Sequence, residues 1–331
     1  MGWKGTLRSM QAASRAAERN SQRRQRELQK QEKEYAKMQA LEQAAYEVEV
    51  YENRVELLLS VHKECGAPVD WQKIASMPEP SKPEPSRSAE LKAITKLSSY
   101  KPGFIARLFG LETKQRAKLQ QLVEAAKEQD KKDNVQSENQ WQTDYQEWSS
   151  EVELAERVLN SNPSAKLEAI KKLDRFSDIS ELGSELQFSI GDTGIIECSI
   201  SVHGRKAIPN ETKSLLQSGK LSVKKMPASK FNELEQDYVC SCVLRVANEL
   251  FSSLPETMVI ITAEDLLLNT STGHMEKAPI LSVSISRDTL YQFNLYNIDP
   301  SDAMANFVHS MAFKKTAGFA PVERLDPAQF T

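Results

Sequence analysis

Arg8, Arg15, Arg19, Arg23, Arg26, Lys30, Lys33 and Lys37 recur at intervals of 7, 4, 4, 3, 4, 3 and 4 near the start of a 331-residue chain. At about 100° per helical residue they share an arc of roughly 80°, and at a 1.5 Å rise the stripe runs about 43 Å. Glu18, Glu27, Glu32 and Glu34 fall outside that arc. A row of positive charge on one helix face suits the phosphates of a polyanion, whose contacts hold position without reading bases. A second cationic segment carries Arg205, Lys206, Lys213, Lys220, Lys224, Lys225 and Lys230 against a single acid, Glu211. Gly219 and Pro227 prevent it from being one regular element, and Ser214, Ser218, Ser222 and Ser229 add hydroxyl donors. No aromatic residue lies between Lys206 and Lys230, so the stacking platform of a single-strand binder is missing. Contact with a duplex backbone fits better. A solubilising loop is the alternative.

The two cationic segments stand out against an acidic background. Residues 1–40 hold 10 Lys/Arg against 4 Glu and residues 205–230 hold 7 against 1, each +6, so with a net charge of -3 the remainder of the chain carries -15. Hydrophobic residues make up 40% and aromatics 7%, with a mean hydropathy of -0.52. That balance predicts about 150 residues of compact domain and a long polar helical remainder. Cys65, Cys198, Cys240 and Cys242 are too scattered for a disulfide framework, which points to a reducing, cytoplasmic compartment. Cys240 and Cys242 would sit about 200° apart on a helix, so they cannot grip one metal and serve better as core fillers. No apolar run reaches the 18 or so residues of a membrane span. Gly2 to Thr6 formally matches a myristoylation pattern, but the pattern is short and common. Gly-rich phosphate loops, Gly-x-Ser-x-Gly elbows and His-Glu-x-x-His are all absent, and no cofactor is expected from motifs.

The elements that must position these groups fall into four segments. Residues 1–65 form a basic and then coiled-coil-like helix, free of Pro and Gly from Ser9 to about Ser60. Its second half carries a seam of Leu41, Ala44, Val48, Tyr51, Val55 and Leu58. Residues 66–87, with Pro78, Pro80, Pro83 and Pro85, read as a stiff, solvated linker. Residues 88–181 are helical, with a short amphipathic piece at 104–109 and a long helix over 111–159 bearing Trp141, Tyr145 and Trp148. Pairing of the helices at 38–62 and 111–159, within the chain or with a protein partner or second copy, would cover both seams. Residues 182–331 form an α+β domain. Leu186, Phe188 and Ile190 alternate, as do Ile196, Cys198, Ile200 and Val202. A helix follows over 229–254, then strands at 258–262 and 279–286, with 288–312 largely helical. The overall class is α+β, with a small sheet packed against a long helix.

The order helix, strand 185–190, strand 194–202, a third strand near 207–216, helix and strand 257–263 resembles restriction-endonuclease-like cores over about 80 residues. Glu211-Thr212-Lys213 fills the third-strand slot as Glu-x-Lys. The resemblance implies a nuclease in which an acid and Glu211 hold Mg or Mn while Lys213 stabilises charge or positions water. The family's Pro-Asp is absent, so Asp192 in the turn or Glu197 in the strand must supply the missing acid. A third reading, a scaffold or protein-interaction subunit, rests on the two seams.

Overall fold

The computed structural model describes residues 40–102, 112–177 and 185–330. The basic stripe from Arg8 to Lys37 and the amphipathic piece at 104–109 lie outside them. The described chain divides into two units: Gln72–Ala155, and the residues up to Trp71 together with those from Glu156 onward. The class is α+β, and no described helix is long and apolar enough to cross a membrane.

In the larger unit the alternating apolar residues after Ser184 build a mixed six-stranded sheet. Strands β1 (Glu185–Ile190) and β2 (Ile196–Ser201) form the expected hairpin. A short helix, Gly204–Ala207, and a separate hairpin follow, with β3 (Glu211–Leu215) antiparallel to β4 (Leu221–Lys225). A helix of 26 residues, Ala228–Ser253, then returns the chain to β5 (Met258–Leu268), which lies parallel to β2. Strands β6 (Met275–Ser286), β7 (Val308–Lys314) and β8 (Gly318–Ala320) complete the order β1-β2-β5-β6-β7-β8. Residues 288–312 are therefore less helical than expected. Only Arg287–Tyr291, Pro300–Ala303 and a single 3-10 turn there are helical, and β7 begins at Val308 because β6 offers it a pairing edge. Asp299 caps its helix by accepting from the backbone N–H of Ser301 and Asp302.

The core lies between one face of this sheet and the 26-residue helix. Ile196, Cys198 and Ile200 on β2, Val259 and Ile261 on β5, and Val283 and Ile285 on β6 are sealed from solvent. Every helix residue from Tyr238 to Ser253 is buried, so the helix is enclosed on all sides. Cys240 and Cys242 are fully buried thiols, as core fillers should be.

The enclosed helix includes polar residues, and Glu249 gathers partners from three segments. Glu249 receives Arg245 Nη2 at 2.9 Å, Arg175 Nη1 at 3.7 Å and the Gly66 backbone N–H at 2.8 Å. Arg175 also donates to Ser252 Oγ and to the Ala67 carbonyl. A Cβ on Gly66 would stand 2.8 Å from Arg175 Nη1, so the close approach requires glycine there. Burial and the Glu249 charge push the Cys65 thiol up to about 11, which leaves it unreactive. His62, also buried, bonds Ser241 Oγ through Nδ1 and the Leu295 carbonyl through Nε2, and burial lowers its pKa.

Ala40–Ser60 is helical, and a 3-10 turn with Gly66 and Pro68 beyond it ends the run. Ala44, Val48 and Leu58 are buried as the seam predicts, while Leu41 is exposed. The seam from Ala44 to Leu58 is covered inside its own unit. The β3–β4 hairpin and the 26-residue helix pack on it within the same unit. A neighbouring sheet ribbon buries a helix stripe as well as a second helix does.

The other unit is built on the helix Glu112–Leu159, with Ser88–Ser98 beside it. Asp130 caps the shorter helix by accepting from the N–H of Ala89 and Glu90. The Pro-rich segment is largely exposed, as expected, but it is anchored along the long helix. Trp141 Nε1 donates to the Pro80 carbonyl at 2.9 Å and Trp148 Nε1 to the Met77 carbonyl at 3.0 Å, with Lys82 over the Trp141 ring. Proline stiffness lowers the entropy of laying an extended strap along a helix, and the indole donors satisfy carbonyls that proline leaves without local partners. Changing both Trp141 and Trp148 to alanine should release the strap, at about 1–3 kcal/mol, and accelerate trypsin cleavage after Arg87. An unchanged cleavage rate would contradict this arrangement.

Candidate polyanion interface

The second cationic segment folds into a two-stranded ribbon, separate from the main sheet. Glu211 faces Lys225 in register, Thr212 faces Lys224, Lys213 faces Val223 and Ser214 faces Ser222. Pro209 and Asn210 keep β3 out of the six-stranded sheet, since a Pro lacks the N–H a central strand needs. Gly219, at a φ of 75°, makes the turn. This corrects the restriction-endonuclease-like order, which requires the third strand in the same sheet as the first two. Glu197 stands in the six-stranded sheet, Asp192 is exposed in the β1–β2 turn, and Glu211 lies in the other sheet. Lys213 Nζ pairs with Glu47 of the first helix at 2.5 Å. Among the described residues no three acidic, His or Cys side chains converge as a metal set.

Lys220, Lys224, Lys225 and Lys230 are exposed, and among the described residues none has a carboxylate within ion-pair distance. Arg205 and Lys206, on the short helix before the ribbon, are exposed as well. Arg54 ties the first helix to this point by donating to the Ala207 carbonyl at 3.0 Å. Between that helix and the ribbon runs a groove of about 830 Å³. Lys63, Lys213 and Lys230 supply its cations, Thr212, Ser214 and Ser60 its hydroxyls, and Glu52 and Glu56 its acids.

Arg205 also marks a feature that sequence reading missed. Its Nε lies 3.7 Å from Glu235 Oε1, and Glu235 is only 3% exposed. Asp265, just past the bulge in β5, faces the same spot: a Cβ built on Gly204 would meet Glu235 Oε1 at 3.2 Å and Asp265 Oδ2 at 3.4 Å. Glu235 Oε2 is buried with no hydrogen-bond partner. Burial, and secondarily the nearby Asp265, raise the Glu235 carboxyl to about 7 against the pull of Arg205. Asp265 is raised too, chiefly by burial, despite the Gly204 and Leu266 N–H groups it accepts. The one trace in the sequence is position. Glu235 falls on the helix stripe with Phe231, Tyr238, Val239 and Cys242, where an apolar residue belongs.

Comparison with protein families, curated proteins and solved structures finds no match to this chain.

Proposed function

We propose that this protein binds a polyanion, nucleic-acid duplex first among them, through the β3–β4 ribbon and the cations flanking it. The observation carrying the reading is the set of four exposed lysines, Lys220, Lys224, Lys225 and Lys230, without a described carboxylate partner. Unneutralised cations on one projection create a local positive potential in an otherwise acidic chain, and that potential attracts phosphate. A two-stranded ribbon is narrow enough for the major groove of a duplex. Arg205 and Lys206 extend the patch, and the stripe from Arg8 to Lys37 supplies further cations from the same chain. The four cysteines are unbridged, as a reducing compartment such as the cytoplasm would keep them.

The test is binding of a fluorescent duplex at fixed, moderate salt. Changing Lys220, Lys224, Lys225 and Lys230 together to alanine should weaken binding by about 100-fold, because each removed cation forfeits counterion release. Equal affinity in the fourfold variant would move binding away from the ribbon.

A further inference from the structure

The sheet face turned away from the 26-residue helix is lined with polar side chains. Register places Gln187, Ser199, Thr262, Ser282 and Ser310 side by side across β1, β2, β5, β6 and β7. Residues paired across strands project to the same side, so these five form one row. Thr262 and Ser282 are buried and bond each other at 3.0 Å. Glu264 lies two residues beyond Thr262 on the same face and is 7% exposed.

What lies over the middle of this row, at Ser199 and Ser282, is the chain's own residues 321–326, which have no regular secondary structure. Val322 donates its N–H to the Pro279 carbonyl, and Leu325 donates its N–H to Ser282 Oγ at 3.0 Å. Arg324 reaches Ser199 Oγ at 3.1 Å with one nitrogen and the Glu264 carboxylate with another. Lys277 holds the other Glu264 oxygen at 2.9 Å. The Arg324 side chain nonetheless stays 52% exposed, and Pro321, Glu323 and Asp326 are open to solvent.

A cover meant only to seal a core would bring aliphatic surface against aliphatic surface, because apolar burial is the larger stabilising term. Here only Val322 and Leu325 are half-buried, and the remaining contacts are polar and half in water, which is how a separable ligand sits on a site. Ser282 and Glu264 also bond Thr262 and Lys277, and each keeps acceptor capacity for an occupant. We propose that this face is a docking groove for an extended, arginine-bearing segment of a partner protein, and that residues 321–326 fill it in cis. Glu264 reads the guanidinium, Ser199 accepts its second bond, and Ser282 accepts the N–H of the following residue. That last contact excludes proline after the arginine. The negative charges of Glu264 and the half-buried Glu197 on the same face favour a cationic partner.

The experiment keeps the full chain folded. A specific protease site is placed between the exposed Ala320 and Pro321, the purified protein is cut, and a labelled peptide of residues 321–330 is added in excess. Cutting removes the high effective concentration of the tethered tail. The peptide should then bind the cut protein saturably, and the uncut protein at least about 10-fold more weakly. Arg324→Ala in the peptide, or Glu264→Gln in the protein, should each weaken binding by about 10-fold, as expected for losing a charge-assisted bond. Three results would overturn the proposal: a cut tail that never exchanges, unfolding on cutting, or dimerisation of the cut protein with a second copy in the groove.

Discussion

Glu249→Ala should cost about 3–5 kcal/mol of unfolding free energy, the largest loss expected from any single change in the chain. Glu249 is 1% exposed and receives two guanidinium groups and the Gly66 N–H. Its removal takes from Arg175 and Arg245, both nearly sealed from water, the carboxylate that they share. Burial already draws the Arg175 pKa downward even with Glu249 present. The Gly66 loop depends on the same carboxylate, so the segment joining the first helix to Trp71 should loosen together with the core. Urea unfolding followed by circular dichroism measures the effect. A loss under about 1 kcal/mol would mean the guanidiniums are solvated in the native protein, contrary to their burial. Glu249→Gln distinguishes charge from hydrogen bonding, since the amide keeps an acceptor but not the charge.

Glu235→Gln should act in the opposite direction, increasingly as pH rises from about 4.5 through 7. The folded-state carboxyl titrates near 7, against an ordinary glutamate value of 4.5. Between those values the native protein holds a proton that the unfolded chain has lost, so stability falls as pH rises through this window. By pH 8 the wild-type protein buries an ionised carboxylate at a cost of about 3 kcal/mol, from 1.36 kcal/mol per pKa unit. The glutamine variant does not, and it should be the more stable protein at pH 8 by a similar amount, with the gain vanishing near pH 4. His62 works with the reverse sign. Its lowered folded pKa means that stability is complete above the ordinary histidine value and is lost as pH falls below it. Stability curves of the wild type and the Glu235→Gln variant that run parallel from pH 4 to 8 would rule out a strained Glu235.

Much of the scaffold was legible from local signals. The Pro-free run at 112–159 and the alternation at 186–190 and 196–202 each state their element within a few residues. What local pattern could not reach was pairing across distance. The Glu-x-Lys triplet reads the same in a central strand as in a detached ribbon, and only the partner of β3 decides between them. The seam from Ala44 to Leu58 specifies that something apolar covers it, not whether a helix or a ribbon does so. The anchoring of the Pro-rich segment by Trp141 at the Pro80 carbonyl and Trp148 at the Met77 carbonyl is invisible until the two segments meet. The polar members of the 26-residue helix, Glu235, Arg245 and Glu249, were visible as exceptions on an apolar stripe. Their partners, Arg205, Asp265 and Arg175, are remote in sequence. In the cationic segment Lys220, Lys224, Lys225 and Lys230 are exposed with no ion pair among the described residues, while Lys213 is spent on Glu47.

Ribbon contact with phosphate is most directly tested by the slope of log affinity against log salt for duplex binding, measured from about 50 to 200 mM in wild type and in the fourfold lysine variant. If eight cations engage, the wild-type slope is about -7, and removing Lys220, Lys224, Lys225 and Lys230 flattens it by about 3 to 4. A shallow wild-type slope, or one that the four substitutions leave unchanged, would contradict the account.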